Sequence, residues 1–348
     1  SEGFICKLIP KQLANSVRDE SASWSQFNAC TWLISGTALA LTNPAILSSM
    51  LTPSSSSQTT GMPYASASPL QALDIFHPPS PPSPNPPPTS PVVVFVHGGA
   101  WSHGSRDLFR LLGVRLRDLG YVAVNVGYRR YPAGCVEEQV EDVGLALEWV
   151  KENIGGYGGD EGNVLLVGHS SGAHIAAQSL LTQGSNNAGV KAFVGLSGVY
   201  NVGEHYKWET RRGVQEISAL KPANFRGLKA GGEEGGDMVE AFDCNSPTFV
   251  ARGMDREVLR ERLPGVVRLY HCEDDTTVPV GSTVEFFEVL KGKGRNIDLE
   301  IIKGVGKGHG GVIVELMMGG DGAEGKDTIV GVLKETIEKV KERRMKGL

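Results

Sequence analysis

Short apolar runs alternate with amphipathic segments along most of the chain. The apolar runs predict β-strands at residues 70–76, 92–96, 121–126, 164–167, 190–196, 266–271 and 297–302. Between them, apolar residues at helical spacing predict helices at residues 107–119, 136–154, 171–181, 282–290 and 328–343. Strands that alternate with helices form a mostly parallel sheet with helices on both faces. The pattern therefore predicts an α/β fold whose ligand site lies beyond the carboxyl ends of the strands.

Three segments interrupt this alternation and suggest a domain organisation. Residues 1–69 are largely uncharged and rich in Ser and Thr, so we interpret them as an N-terminal extension to a main domain at residues 70–348. Within that domain, the Pro-rich residues 78–91 predict an extended loop of polyproline character. Residues 197–263 combine Gly-rich pieces with an aromatic patch, which favours a cap-like insertion over an ordinary surface excursion.

An apolar stretch within residues 30–51 raises the question of a membrane segment. Hydroxyl side chains and Thr42-Asn43-Pro44 interrupt the stretch, whereas about twenty successive apolar residues are needed to span a bilayer. A docking helix or a targeting remnant is therefore favoured over a membrane span, and membrane association through the N-terminal region stays open.

Charge and cysteine content exclude several classes of function. The formal net charge is -5 and the basic residues are scattered, which argues against a nucleic-acid partner. The five cysteines form no CxxC pair, so neither a disulfide framework nor a zinc site is predicted. No metal or cofactor is expected, and the oligomeric state is not predicted.

A serine lies at the centre of the most informative motif, Gly168-His169-Ser170-Ser171-Gly172. The motif follows a predicted strand and precedes a predicted helix, which is the context of a nucleophile elbow. The turn is so tight that the positions two before and two after the serine must lack bulk, and Gly168 and Gly172 meet this need. Ser170 is therefore the predicted nucleophile.

An activated serine needs a base to take its proton and an acid to orient that base. In a fold with this elbow, the acid follows in the chain and the histidine comes last. The acid is expected in the loop after the strand at residues 266–271. We expect Asp275, because resemblance to a family pattern ending in D-x-x-V-P places the acid at this residue, and Asp274 is the alternative one residue away. His309 is the predicted base, in a loop that its neighbouring glycines would make flexible.

Backbone N–H groups are needed to stabilise the negative charge that develops on the substrate oxygen. The strand at residues 92–96 runs into His97-Gly98-Gly99-Ala100-Trp101, where glycines let the backbone approach a substrate. Gly99, Ala100 and Ser171 are therefore the predicted oxyanion donors. We expect Trp101, Tyr200 and Tyr206 to line the substrate pocket.

Taken together, residues 97–101, 168–174, 275–279 and His309 resemble those of an α/β-hydrolase superfamily carboxylesterase. The resemblance covers residues 70–343 and is greatest to the isoprenylcysteine methylesterase-like group. It implies a serine esterase with an acyl-enzyme intermediate and a small-molecule ester substrate, one candidate being a prenylcysteine methyl ester. It also implies an intracellular protein associated with endomembranes, with a cytoplasmic location as the alternative.

Two other functions stay open at this point. Arylformamidases share the HGG-x-W sequence and a similar elbow, so hydrolysis of an N-formylated aromatic amine such as N-formylkynurenine is the nearer alternative. A non-catalytic ligand-binding protein on a hydrolase scaffold is the other, although the presence of His309 argues against a lost activity.

Overall fold

A computed structural model describes residues 57–78, 90–184, 189–225, 238–294, 298–304, 308–318 and 328–347. Its strands form one eight-stranded sheet in the order β1-β2-β4-β3-β5-β6-β7-β8. The strands are β1 Gln58–Pro63, β2 Ala72–Phe76, β3 Ser90–Val96, β4 Val122–Val126, β5 Gly159–His169, β6 Val190–Leu196, β7 Val266–Cys272 and β8 Asp298–Gly304. β2 is antiparallel to β1 and to β4, and all the other neighbours are parallel.

Helices follow most of the strands. They are α1 Arg110–Asp118, α2 Val136–Asn153, α3 Ser171–Thr182, α4 Val202–Arg211, α5 Leu220–Asn224, α6 Met238–Cys244, α7 Pro247–Gly253, α8 Arg256–Arg262, α9 Val280–Gly292, α10 Gly308–Met318 and α11 Ile329–Met345. The α/β fold class with a mostly parallel sheet is thus confirmed.

The central strands are buried on both faces: alternate side chains of a strand point to opposite sides, and each side packs into an apolar cluster. In β3, Val92, Val94 and Val96 belong to one apolar cluster, whereas Val93 and Phe95 belong to a second. Burying side chains of this size contributes roughly 1.5–3 kcal/mol each. The carboxyl ends of the central strands are therefore rigid supports for the loops that follow them.

Outside residues 197–263, two elements were not expected from the apolar pattern. β1 lies in the Ser/Thr-rich part of the segment interpreted as an extension, yet it pairs with β2 at the sheet edge. Most of its residues are at least partly exposed, so an edge strand of this kind needs no apolar run. The sheet consequently begins before residue 70.

The second unexpected element is α10, and the prediction that His309 lies in a flexible loop is wrong. His309 is the second residue of this helix. Glycines at its start lower the intrinsic helix propensity, but Val312, Ile313 and Leu316 are buried against the sheet. Tertiary packing of that apolar face stabilises the helix despite the glycines.

The predicted insertion at residues 197–263 contains helices α4 to α8. Its residues 226–237, most of the Pro-rich loop and residues 30–51 lie outside the described part of the chain. Within the described part, every helix is too short or too polar to cross a bilayer.

Candidate active site

Ser170 lies in a sharp turn between β5 and α3. Its backbone has φ 55° and ψ -126°, a conformation that non-glycine residues rarely adopt. Such strain persists only where the surrounding structure enforces it, and it is typical of a serine at a nucleophile elbow. The sequence therefore placed the turn correctly.

The glycines around Ser170 are required by close backbone packing. A Cβ atom on Gly168 would lie 2.5 Å from the Ala173 Cα atom. A Cβ on Gly172 would overlap the carbonyl oxygens of Val96 and His97, at the end of the neighbouring strand β3. Both contacts are shorter than real Cβ contacts, so a side chain at either position would displace the turn.

His309 contacts Ser170 across 139 residues of sequence. Its Nε2 atom lies 2.9 Å from the Ser170 Oγ atom, which is a hydrogen-bond distance. Helix α10 carries the His309 ring to this position. The His169 ring holds the start of that helix, since His169 Nε2 donates to the His309 carbonyl oxygen at 3.0 Å. Burial, with a smaller effect of the His309 charge, lowers the pKa of His169 to about 3, so His169 is neutral.

Asp275 completes the contact on the other side of the His309 ring. Its Oδ2 atom lies 2.7 Å from His309 Nδ1, and its Oδ1 atom accepts from the N–H groups of Thr277 and Val278 at 2.9 and 2.8 Å. Burial by itself would raise the pKa of Asp275. The facing His309 and the hydrogen bonds from His271, His309 and Val278 outweigh burial and hold this pKa far below its usual value, so the carboxylate is ionised.

Asp274, the alternative acid, does not contact the His309 ring. It is exposed, and its Oδ1 atom accepts from the Gly308 N–H at 3.3 Å, at the start of α10. It therefore contacts the backbone next to His309, whereas Asp275 contacts the imidazole ring itself.

These two neighbouring acids provide a matched pair of variants. We expect Asp275→Asn to lower kcat for ester hydrolysis by about 10⁴-fold, the loss known for this change in a serine protease, because the charge that orients the imidazole is removed. Asp274→Asn should cost less than about tenfold, since an amide oxygen at this exposed position can still accept from the Gly308 N–H. Steady-state kinetics on both purified variants will test this, and a larger loss in Asp274→Asn would reverse the assignment.

The loop after β3 approaches Ser170 directly. A Cβ on Gly98 would lie 2.8 Å from the Ser170 Cβ and 2.7 Å from the His169 carbonyl oxygen. Gly99, Ala100 and Trp101 all have positive φ, at 139°, 48° and 61°. The backbone that carries the predicted oxyanion donors is thus held in a strained shape beside the serine.

Hydrogen bonds hold this loop in place. The Trp101 carbonyl oxygen accepts from Tyr131 N–H and from Gln139 Nε2, both at 2.9 Å. The Tyr128 hydroxyl donates to the His97 carbonyl oxygen at 2.8 Å. The loop is therefore preorganised, as an oxyanion site requires.

The three aromatic residues predicted to line a pocket differ in their burial. Trp101 is fully buried, and its Nε1 donates at 2.8 Å to His174 Nδ1, which makes it a support of the loop. Tyr200 is also fully buried and stacks on Phe286 at 4.6 Å between ring centroids. Tyr206, on α4, is half-buried and lies 5.4 Å from the Phe242 ring. Among these three, only Tyr206 retains an accessible surface for a substrate.

The parallel sheet, the strained serine turn and the order of serine, aspartate and histidine define the fold as that of an α/β-hydrolase. Residues 73–219 match the family model described as BD-FAE. Within this class, the chain is similar to an isoprenylcysteine alpha-carbonyl methylesterase, named as probable, from Oryza sativa subsp. japonica. The two are 33% identical over 272 residues, which cover 75% of this chain and 59% of the relative.

A further sequence relative and a solved structure are also similar to this chain. Esterase LipC from Mycobacterium tuberculosis is 29% identical over 255 residues, which cover 70% of this chain and 57% of that protein. The crystal structure of Esterase B from Lactobacillus rhamnosis superposes with a TM-score of 0.64 at 19% identity, over 92% of this chain and 98% of that one. The chain spans less than two thirds of the length of the two sequence relatives.

Proposed function

We propose that the protein is a serine hydrolase that cleaves carboxylic esters through an acyl-enzyme intermediate. The observation that carries this proposal is the continuous chain of hydrogen bonds from Asp275 through His309 to Ser170. A serine hydroxyl in contact with an imidazole, itself in contact with an ionised carboxylate, is the arrangement that activates serine as a nucleophile. The esterase names of the relatives support the same reaction.

In the first half-reaction, Ser170 Oγ attacks the ester carbonyl carbon while its proton passes to His309 Nε2. Asp275 stabilises the imidazolium that forms. The N–H groups of Gly99, Ala100 and Ser171 stabilise the negative oxygen of the tetrahedral intermediate. When the intermediate collapses, the bond to the alcohol oxygen breaks, and His309 returns the proton to the leaving alcohol.

In the second half-reaction, a water molecule takes the place of the alcohol. His309 Nε2 removes one proton from the water as its oxygen attacks the acyl carbon. The new intermediate collapses with cleavage of the bond to Ser170 Oγ, which receives the proton from His309. The carboxylic acid leaves, and the enzyme returns to its starting state without any cofactor.

A prenylcysteine methyl ester is the substrate that we propose. The name of the rice relative specifies a methylesterase acting on isoprenylcysteine. A cap with a half-buried Tyr206 beside Phe242 offers apolar surface suited to a prenyl chain. An apolar chain of this kind would also be consistent with an endomembrane location.

A substrate panel tests this function against the formamidase alternative. We expect the purified protein to hydrolyse a prenylcysteine methyl ester with a kcat/KM at least about tenfold above that for N-formylkynurenine, and to cleave short p-nitrophenyl esters. Ser170→Ala serves as the inactive control. Preferred turnover of N-formylkynurenine would assign the formamidase activity, and turnover of neither ester would contradict ester hydrolysis and favour the ligand-binding alternative.

A further inference from the structure

A buried histidine connects the loop that carries two of the predicted oxyanion donors to a distant part of the chain. His174 lies on α3, one turn after Ser170, and its side chain is completely buried. Its Nδ1 atom lies 2.8 Å from Trp101 Nε1, and its Nε2 atom lies 2.5 Å from the carbonyl oxygen of Asn245. Asn245 belongs to the short connection between α6 and α7. His174 therefore joins residues 97–101, which we call the oxyanion loop, to that connection.

These two contacts fix the tautomer of the His174 ring. A carbonyl oxygen can only accept, so the proton is on Nε2, which donates to Asn245. Burial lowers the pKa of His174 to about 4, although the hydrogen bond to Asn245 opposes this shift, so the ring is neutral at neutral pH. Nδ1 therefore carries a lone pair, which accepts from the indole N–H of Trp101, a group that can only donate.

Trp101 is thus held at its side chain as well as at its backbone. Its carbonyl oxygen accepts two hydrogen bonds, and His174 fixes its indole ring. Ala100 and Trp101 both have a positive φ, at 48° and 61°, which persists only where the surrounding structure enforces it. Because the Ala100 N–H is a predicted oxyanion donor, release of the indole would let this donor relax away from its position.

We propose that His174 is a positioning residue, which holds the oxyanion loop in its strained shape by accepting a hydrogen bond from Trp101. The Asn245 carbonyl oxygen contributes by keeping the proton on Nε2 and the lone pair on Nδ1. The inference deepens the proposed function and rests on it, because a loop held in this way aids catalysis only in an enzyme that forms an oxyanion. His174 itself needs no contact with the substrate.

A pair of substitutions at His174 separates its two contacts. His174→Asn places an amide oxygen near the position of Nδ1 and keeps an acceptor for Trp101, whereas His174→Gln places an amide nitrogen near Nε2 and keeps only the donor to Asn245. With p-nitrophenyl butyrate as substrate, we expect His174→Gln to lower kcat by about 10²-fold and to change KM by less than about threefold. His174→Asn should keep kcat within about threefold of the wild type.

A transition-state analogue tests whether the loss arises at the oxyanion. Ser170 Oγ attacks the carbonyl carbon of a trifluoromethyl ketone, its proton passes to His309 Nε2, and the ketone oxygen becomes an anion beside the oxyanion loop. The inhibition constant of this ketone should rise by about 10²-fold in His174→Gln and change little in His174→Asn. A role limited to packing would lower the melting temperature without moving this constant in parallel with kcat.

Gln178 provides a matched control on the same helix. It lies one turn after His174, and its Nε2 donates at 2.7 Å to the carbonyl oxygen of Cys244, the residue before Asn245. Gln178→Leu removes a tether to the same part of the chain but leaves the partner of Trp101 in place. We therefore expect kcat and the inhibition constant to stay within about threefold of the wild type in this variant.

A further variant removes the same hydrogen bond from its other end. Trp101→Phe lacks the indole N–H, so it should show the losses expected for His174→Gln, and it replaces that variant if His174→Gln does not fold. Combined with His174→Gln, it should be no slower than the slower single variant, because both changes remove one interaction.

The outcomes separate this inference from the proposed function. Wild-type kcat in His174→Gln, or equal losses in His174→Gln and Gln178→Leu, would overturn the role of His174 while leaving ester hydrolysis intact. Equal losses in His174→Asn and His174→Gln would do the same, because an acceptor for Trp101 would then not restore activity. A wild-type protein that neither cleaves p-nitrophenyl esters nor binds the ketone would instead overturn the proposed function, and the inference with it.

Discussion

Replacing Ser170 by alanine is expected to abolish labelling by a fluorophosphonate and to lower ester turnover by about 10⁶-fold, as removal of the serine does in subtilisin. The change removes one oxygen atom and keeps the Cβ that packs near Gly98. The turn also keeps its backbone strain, because alanine adopts a φ of 55° at much the same cost as serine. The fold should therefore survive, with an unchanged circular dichroism spectrum.

The neighbouring serine is the matched control for this variant. Ser171→Ala removes a hydroxyl one position away but keeps the backbone N–H at the start of α3, so this variant should still be labelled. Labelling that persisted in Ser170→Ala and disappeared in Ser171→Ala would show that Ser171, and not Ser170, is the nucleophile. Labelling that survived in both variants would place the nucleophile elsewhere.

His309→Ala should cause a loss of similar size, because the proton on Ser170 Oγ would then have no base within hydrogen-bond distance. His169 cannot substitute for it, since its Nε2 already donates to the His309 carbonyl oxygen and burial lowers its pKa to about 3. We expect kcat for a p-nitrophenyl ester to fall by about 10⁶-fold while the melting temperature changes little.

The double variant sharpens this test. Residues that act as one unit are not additive, so Ser170→Ala combined with His309→Ala should be no slower than either single variant. A double variant that lost the product of the two single effects would argue against direct proton transfer between these residues. Near-normal turnover in His309→Ala would mean that the base lies elsewhere.

Much of the core fold could be predicted because it depends on local patterns. The strand at residues 190–196 was expected from its apolar run and occurs as β6 with the same bounds. β1 was missed because an exposed edge strand needs neither alternation nor an apolar run. α10 was missed because its glycines argue against a helix locally, while its stability comes from packing against the sheet.

The site shows the same division between local and distant effects. Asp275 was expected as the acid with Asp274 as the alternative one residue away, and the folded chain shows that Asp275 contacts the ring of His309 whereas Asp274 contacts the Gly308 backbone. The sequence did not predict that Trp101 and Tyr200 are fully buried, because an aromatic residue is equally suited to a core and to a pocket.

The sequence by itself determined the parallel α/β class and the serine turn, because both depend on spacing within a few residues and on the absence of bulk at Gly168 and Gly172. Only the tertiary structure showed the contact of Asp275 with the ring of His309 and the burial of the Trp101 and Tyr200 rings. Because those contacts join segments that lie far apart in the chain, they form and contribute to stability only once the chain has folded.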